Sequence, residues 1–281
     1  MAAVMGQVVD GWAKVCEYAD DFAQPAVLHE TVESLSATSG VSAEELRFFL
    51  VLISAYPIGL TWRALPTATM KHLFSVVLGI WILQFVVGYQ WLHVVIPSLV
   101  SWFAMRIAGP RARWFVSLFA LGYLAGGHIY RMVTDYLGWT MDWTMMMMIV
   151  IQKLGGVSFN YYDGAAAKTP SASQKNYAIP DCPSLLEFMG FILFPSGIAI
   201  GPAFEFADFR RFARGELTSP APYAPGLWRL FQSLAMFAFH MAVMSTYPTY
   251  TLLNDKEFLA NGILSRLPIL WISLLGYRFK Y

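Results

Sequence analysis

The sequence predicts an all-α protein that crosses a membrane several times, with about seven to eight membrane segments that include short or broken helices. Hydrophobic residues make up 57% of the chain and charged residues only 13%, whereas a soluble domain has about 25% charged residues. The 10 Trp and 14 Tyr residues are of the types that concentrate at membrane–water interfaces. These proportions exclude an ordinary soluble domain.

The longest uncharged run gives the clearest indication of membrane helices. Residues 73–105 contain no Asp, Glu, Lys or Arg. As a single helix this run would be about 50 Å long, against a hydrocarbon thickness of about 30 Å. We therefore expect two membrane helices joined by a tight turn at Gly88-Tyr89-Gln90.

The other apolar runs predict further membrane segments of unequal quality. A first span is expected at Leu46–Trp62, interrupted by Pro57 and Gly59. Residues 143–162, which Lys153 interrupts, favour a short tilted helix or one that does not fully cross. Residues 188–204 favour a helix broken by Pro and Gly. Further predicted elements are a fourth span at 114–130, a loop at 163–183, an interfacial helix at 205–216, and spans at 230–253 and from 267 onwards.

Charge divides the chain into an acidic segment and a membrane region. Residues 1–45 carry one basic and eight acidic residues, a formal charge of −7, and we assign 46–281 to the membrane domain. Basic clusters at 63–71 and 106–113 lie two spans apart. The positive-inside rule therefore places them in the cytosol and the acidic N-terminus in the lumen. Basic residues placed between apolar runs argue against a nucleic-acid partner.

Local motifs identify no catalytic centre. The sequence contains no HExxH, P-loop or dinucleotide fingerprint and no metal-ligand spacing. His93, His128 and His240 lie in apolar runs, where a polar residue is a functional candidate by default. The more common role of such a histidine is a hydrogen bond to a neighbouring helix or an interfacial position.

Two segments combine polar side chains with irregular backbone at the ends of apolar runs. The first is 159–164, which contains Asn160, Tyr161, Tyr162 and Asp163. The second is 201–206, which contains Gly201, Pro202, Phe204 and Glu205. Polar groups there must meet water, a partner or a substrate, because leaving them unpaired in hydrocarbon costs several kcal/mol. We expect the two segments to approach each other and wall one cavity, although two independent interfacial turns would fit the pattern too.

At these residues the sequence resembles a known family. The stretches QKLGGVSFNYYDG (152–164), QKNYAIPDCPSLLEFMGFILFPSGIAIGPAFEFADFRRFARGEL (174–217) and GYRFKY (276–281) resemble the membrane-bound O-acyltransferase superfamily, and most of all its lysophospholipid acyltransferase branch. The resemblance is good over residues 110–281 and poor over the N-terminal 45. It implies an integral membrane enzyme of the endoplasmic reticulum that transfers a fatty acyl group to a lysophospholipid. Acyl-CoA would be the co-substrate, lysophospholipid and membrane lipid the partners, and no cofactor would be held permanently.

The same resemblance implies that the catalytic residues are missing. The family's catalytic histidine belongs to a Trp-His-Gly motif beyond the position that matches Tyr281, and this chain contains no such motif. No catalytic residue is therefore assigned here, and neither His128 nor His240 is promoted to that role. We expect an N-terminal fragment, inactive alone, whose eight named residues wall the substrate cavity. A membrane transporter or channel, or a non-catalytic scaffold, remains the alternative. Sequencing the transcript past Tyr281 would separate the enzyme from the scaffold.

Overall fold

The computed structural model describes residues 26–39, 42–136, 141–199, 201, 203–216, 223–247, 252 and 254–278. Every regular element in these ranges is helical, which confirms the all-α prediction. The chain divides into two compact units, Met1–Thr218 and Ser219–Tyr281. Whether residues 1–45 form a separate segment stays a prediction.

The first unit contains ten α-helices among its described residues. They are α1 (Ala26–Ser39), α2 (Ala43–Ala64), α3 (Ala68–Val87), α4 (Leu92–Ala108), α5 (Arg113–Thr134), α6 (Trp143–Ala165), α7 (Ala172–Tyr177), α8 (Leu185–Ile192), α9 (Pro195–Ile198) and α10 (Phe206–Ala213).

Tight turns join the helices α3, α4 and α5. A turn of 3₁₀ helix at Gly88–Trp91 connects α3 to α4, and another at Gly109–Ala112 connects α4 to α5. Gly88 and Gly109 have φ of 58° and 61°, a region that L side chains rarely adopt. The break predicted at Gly88-Tyr89-Gln90 is therefore confirmed.

Two predicted interruptions are wrong. Helix α2 continues through Pro57, which lies inside its 22 residues. Helix α6 continues through Lys153 as one helix of 23 residues. The predicted broken helix is found, since α8 ends at Ile192 and α9 begins at Pro195. The predicted loop at 163–183 also contains the short helix α7.

Close backbone contacts hold the broken segment against α3. A Cβ on Gly79 would overlap the carbonyl oxygen of Leu193, and a Cβ on Gly190 would lie 3.0 Å from Cα of His72. Trp62 at the end of α2 is buried, and its indole nitrogen donates to the Lys71 carbonyl at 3.1 Å and to Ser75 Oγ at 2.9 Å. The break after α8 therefore lies in the packed interior, where protein groups surround it.

In the part of the chain that the structure describes, two helical stretches are long and apolar enough to cross a membrane, Ala43–Ala64 and Ala68–Thr134. The second comprises α3, α4 and α5 with their turns. On α5, the apolar residues Leu118, Ile129 and Val133 are 65%, 62% and 80% exposed, as expected of a surface that faces lipid. The number of seven to eight membrane segments stays a prediction.

The described residues of the second unit form an antiparallel pair of long helices with a short one between them. These helices are α11 (Tyr223–Thr246), α12 (Lys256–Ala260) and α13 (Ile263–Arg278). His240 of α11 is buried, and its Nδ1 lies 2.8 Å from the carbonyl oxygen of Gly276 on α13. Such a helix-to-helix hydrogen bond is the structural role considered above for a membrane histidine.

Candidate substrate cavity between helix α6 and the segment before helix α10

The two polar segments singled out in the sequence meet in the structure. Asn160 lies in α6, and Glu205 immediately precedes α10. The amide nitrogen Nδ2 of Asn160 donates to Oε2 of Glu205 at 2.6 Å. A short hydrogen bond to a carboxylate is about twice as strong as one between neutral groups. The expected approach of the two segments is therefore present, although it does not by itself assign a substrate.

A small cavity of about 100 Å³ lies beside this hydrogen bond. Gln152, Lys153 and Gly156 of α6 line one side, and 203–206 lines the other. Gly156 leaves room here, since a Cβ at this position would lie 4.0 Å from Glu205 Oε2. Ligand pockets usually measure about 300–1,000 Å³. This cavity therefore suits one functional group of a ligand rather than the whole molecule.

Lys153 supplies a buried cation to the cavity. Its side chain is 1% exposed, and Nζ donates to the carbonyl oxygens of Phe191 and Ile192 at 3.0 and 3.1 Å. These carbonyls end α8, where a cation interacts favourably with the helix dipole. The ammonium also lies 5.1 Å from the ring centroids of Phe191 and Phe204. Lys153 therefore ties α6 to the break after α8.

Phenylalanine rings form the wall behind Phe204. The Phe204 ring lies 5.3 Å from Phe191 and 5.6 Å from Phe194, in edge-to-face geometry in both cases. A second cavity of about 260 Å³ is lined by Phe194, Phe204, Asp208, Phe209 and Phe212. Phe204 thus lines both cavities, and the aromatic one offers the kind of surface that buries a hydrocarbon chain.

The remaining predicted residues have other contacts. The Arg113 guanidinium stacks on the Tyr162 ring, 3.2 Å from its centroid. Asp163 accepts from Gln174 Nε2 at 3.1 Å, and Tyr161 packs half-buried against the hydrophobic core. Successive residues of an α-helix point about 100° apart, so the four residues 160–163 cannot share one wall.

Gly201 permits a close approach within the broken segment. A Cβ there would overlap Cα of Gly197, so the chain can turn back on α9 only with glycine at this position. Pro202 lies outside the described residues. Of the eight predicted residues, Phe204 and Glu205 line the small cavity and Asn160 holds Glu205.

Sequence reasoning missed two charged residues at this site. Lys153 is a lone cation in an apolar run, which marks a functional candidate, but the sequence alone predicts only an interruption there. Arg210 was missed too: its Nε and Nη2 donate to the two carboxylate oxygens of Glu187 at 2.7 and 3.0 Å. Both side chains are mostly buried, at 16% and 13% exposure, and the pair fixes α10 to α8.

The histidines outside the cavity have contacts of their own. His93 Nδ1 lies 2.8 Å from the Tyr123 hydroxyl, and its ring stacks on Trp143 at 4.5 Å. His128 is exposed on α5. Among the residues that the structure describes, no group of three or more His, Cys, Asp or Glu side chains could hold a metal ion. Neither His93 nor His128 is near the Asn160–Glu205 pair in the contacts described.

Comparison with known proteins decides the family. The model of the membrane-bound O-acyltransferase family matches residues 46–281. The chain belongs to this family. Lysophospholipid acyltransferase 2 of Arabidopsis thaliana is a similar protein. It is 26% identical over 89% of this chain and 56% of its own length.

Two animal proteins are similar over comparable parts of the chain. Lysophospholipid acyltransferase 5 of Rattus norvegicus is 27% identical over 91% of this chain and 54% of its own length. Membrane-bound glycerophospholipid O-acyltransferase 2 of Gallus gallus is 30% identical over 75% of this chain and 45% of its own length. This membrane-bound O-acyltransferase chain therefore spans about half the length of the curated relatives it matches.

Proposed function

We propose that this chain forms part of a lysophospholipid acyltransferase that uses acyl-CoA as acyl donor in phospholipid remodelling at the endoplasmic reticulum. Membership of the family and the names of the similar proteins support this reaction class. The observation that carries the proposal is the Asn160–Glu205 hydrogen bond of 2.6 Å, which joins the two motif segments beside a polar cavity.

The reaction requires groups of three kinds. A base must draw the proton from the lysophospholipid hydroxyl as it attacks the thioester, and donors must stabilise the charge that develops on the carbonyl oxygen. The site must also keep both substrates in register. We assign this chain the third role: Glu205 and Phe204 wall the cavity, Asn160 holds Glu205, and no catalytic base is assigned to the described residues.

The proportions of the two cavities support this division of labour. The polar cavity of about 100 Å³ has Glu205 and the Lys153 ammonium in its lining, and it accommodates a polar group such as a thioester or a glycerol hydroxyl. The aromatic cavity of about 260 Å³, which Phe204 also lines, accommodates methylene groups. Burying each methylene group of an acyl chain contributes about 0.8 kcal/mol. The aromatic wall therefore binds the chain without a specific contact to its carbonyl end.

Acyl transfer by a chimera tests the proposal. Residues 1–281 would be joined to the second half of the similar Arabidopsis protein, and transfer from labelled acyl-CoA to a panel of lysophospholipids would be measured in microsomes. We expect Glu205→Ala to reduce the rate at least about tenfold, because a cavity-wall contact of roughly 1.4 kcal/mol is lost. Lys168→Ala, in the exposed loop before α7, is the matched control and should retain the rate.

Equal amounts of folded protein must be shown for both variants by size-exclusion chromatography. If the chimera is active and the Glu205→Ala and Lys168→Ala variants transfer acyl groups at the same rate, Glu205 has no role in the cavity wall.

We also expect that the 281-residue chain alone transfers no acyl group. The expectation rests on the Trp-His-Gly motif, which the sequence lacks, and on the general base that the chemistry requires, a role that suits histidine. Purified chain in detergent would be supplied with labelled acyl-CoA and lysophospholipids. Turnover that disappears on changing His128 or His240 would reinstate an internal histidine as the base.

A further inference from the structure

A third cleft, of about 300 Å³, opens between the chain that follows α7 and helix α10. Arg210, Arg211 and Arg214 line it together with the stretch 178–180, and Asn176 and Glu216 complete the polar part of the lining. Three guanidinium groups and one carboxylate line this space, and two further carboxylates, Glu187 and Asp208, pair with Arg210 and Arg211. The capacity to bind an anion therefore rests on Arg214 and on the unpaired part of Arg210.

Two of these arginines are held in place by protein contacts. Arg211 donates to Asp208 Oδ1 at 2.8 Å and to the Asn176 carbonyl at 3.2 Å, so it ties α10 to the end of α7. Arg210 uses Nε and Nη2 for Glu187. Among the described residues, its third guanidinium nitrogen, Nη1, makes no hydrogen bond. The walls are thus preorganised, which lowers the ordering cost of binding.

Arg214 differs from the other two because it is weakly paired. Its side chain is 54% exposed, and its nearest carboxylate oxygen belongs to Glu216, 4.0 Å away. An exposed ion pair at this distance contributes little stability. An incoming anion can therefore take Arg214 from Glu216 at small cost.

The cleft is connected to the candidate substrate cavity through the chain. The backbone nitrogen of Ile179, in the cleft wall, donates to the Asn160 carbonyl at 2.9 Å. Ala207, also in the wall, is two residues beyond Glu205. The walls of the two spaces are therefore coupled through the backbone of the chain.

We propose that this cleft binds a phosphate ester, held by the guanidinium groups of Arg214 and Arg210 against the apolar stretch Ala178–Pro180. A planar guanidinium presents paired donors that match phosphate oxygens. The phosphate can come from the acyl-CoA donor or from a phospholipid head group at the membrane surface. In its acyl-CoA form the inference rests on the proposed function, whereas phosphate binding itself requires no acyl transfer.

Two substitutions with opposite expected effects on CoA binding test the proposal. Purified chain in an uncharged maltoside detergent would be titrated calorimetrically with free CoA, with pantetheine as the ligand that lacks phosphate. Arg214→Gln should weaken CoA binding about three- to tenfold, because a charge-assisted contact is lost. Glu216→Gln should tighten it about two- to threefold, because the competing carboxylate is removed. Lys168→Gln and Glu257→Gln, exposed residues outside the cleft, are the charge-matched controls.

A second arm identifies the source of the phosphate. The chain would be reconstituted into nanodiscs with and without phosphatidylserine. The lipid that stays bound to the chain would then be quantified by mass spectrometry. Opposite shifts of CoA affinity in the two cleft variants assign the site to the acyl donor. Opposite shifts of phosphatidylserine enrichment, with CoA binding unchanged, assign it to a lipid head group. If both cleft variants match their controls in both arms, or if pantetheine binds as well as CoA, the phosphate site is disproved. Thermal midpoints equal to wild type establish that the variants are folded.

Discussion

The Asn160–Glu205 hydrogen bond joins an amide donor to a carboxylate acceptor. Changing Asn160→Asp would place two carboxylates in contact, and repulsion should destabilise the protein by about 1–3 kcal/mol. Adding Glu205→Gln gives an amide at position 205 that can donate to the new carboxylate at position 160. The double variant should therefore recover most of the lost stability. The thermal midpoint in detergent measures both effects. A double variant as unstable as Asn160→Asp would mean that the two side chains do not interact in solution.

Cys182 offers a second measurement at the residue scale. Burial raises the pKa of its thiol, and nearby Arg106 opposes this with a smaller effect. Since the thiolate is the reactive form, the pH midpoint of maleimide labelling in a Cys16→Ser background should lie above that of the same chain denatured in detergent. Arg106→Gln should raise the midpoint further. A native midpoint at or below the denatured one would contradict the burial of this thiol.

Part of the candidate site could be predicted from single residues, and part could not. The cost of unpaired polar groups beside apolar runs was enough to predict that 159–164 and 201–206 would meet, because those groups need partners. It could not predict which partner each would find. Tyr162 meets Arg113, and Asp163 meets Gln174, since the rotation of α6 about its axis is decided by packing from distant parts of the chain.

Close contacts between helices give a prediction at the scale of elements. Gly79 of α3 lies against the Leu193 carbonyl, whereas Gly122 of α5 has nothing within 4 Å of a Cβ. Gly79→Ala should therefore destabilise the protein by about 1–3 kcal/mol through overpacking. Gly122→Ala should be neutral or stabilise it by up to about 1 kcal/mol, because alanine favours the helix.

Thermal unfolding of the two alanine variants in the same detergent compares them directly. Equal midpoints would show that the break after α8 does not pack on α3 as described.

Helix positions followed from hydropathy more reliably than helix interruptions did. The turn at Gly88 was predictable because an uncharged run longer than the bilayer must reverse. The continuity of α6 through Lys153 was not, because the carbonyls that accept from its ammonium belong to Phe191 and Ile192, 38 and 39 residues further along the chain. Pro57 inside α2 is a similar case, since the helix continues past it to Ala64, where the buried Trp62 is held by residues of the next helix.

For the whole molecule we predict a luminal N-terminus. The formal charge of −7 on residues 1–45 and the basic residues at 63–71 and 106–113 motivate this orientation. Ser34→Asn creates an Asn-Leu-Ser glycosylation site that should be modified in microsomes. Ala108→Asn with Pro110→Ser creates a corresponding site in the 106–113 loop, which should stay unmodified. Modification of the second site alone would mean that the orientation is inverted.

The short turns around α4 have a consequence for the membrane itself. Helix α4 has 17 residues, a length of about 25 Å at 1.5 Å per residue. The turns that begin at Gly88 and Gly109 directly flank it, so no further helical residues extend it at either end. A hydrocarbon layer of about 30 Å would have to become thinner beside this helix. The bilayer of the endoplasmic reticulum, about 27 Å thick, would need the smallest deformation. The length of α4 should therefore make the protein more stable in short-chain than in long-chain lipids, and so favour thin membranes over thick ones.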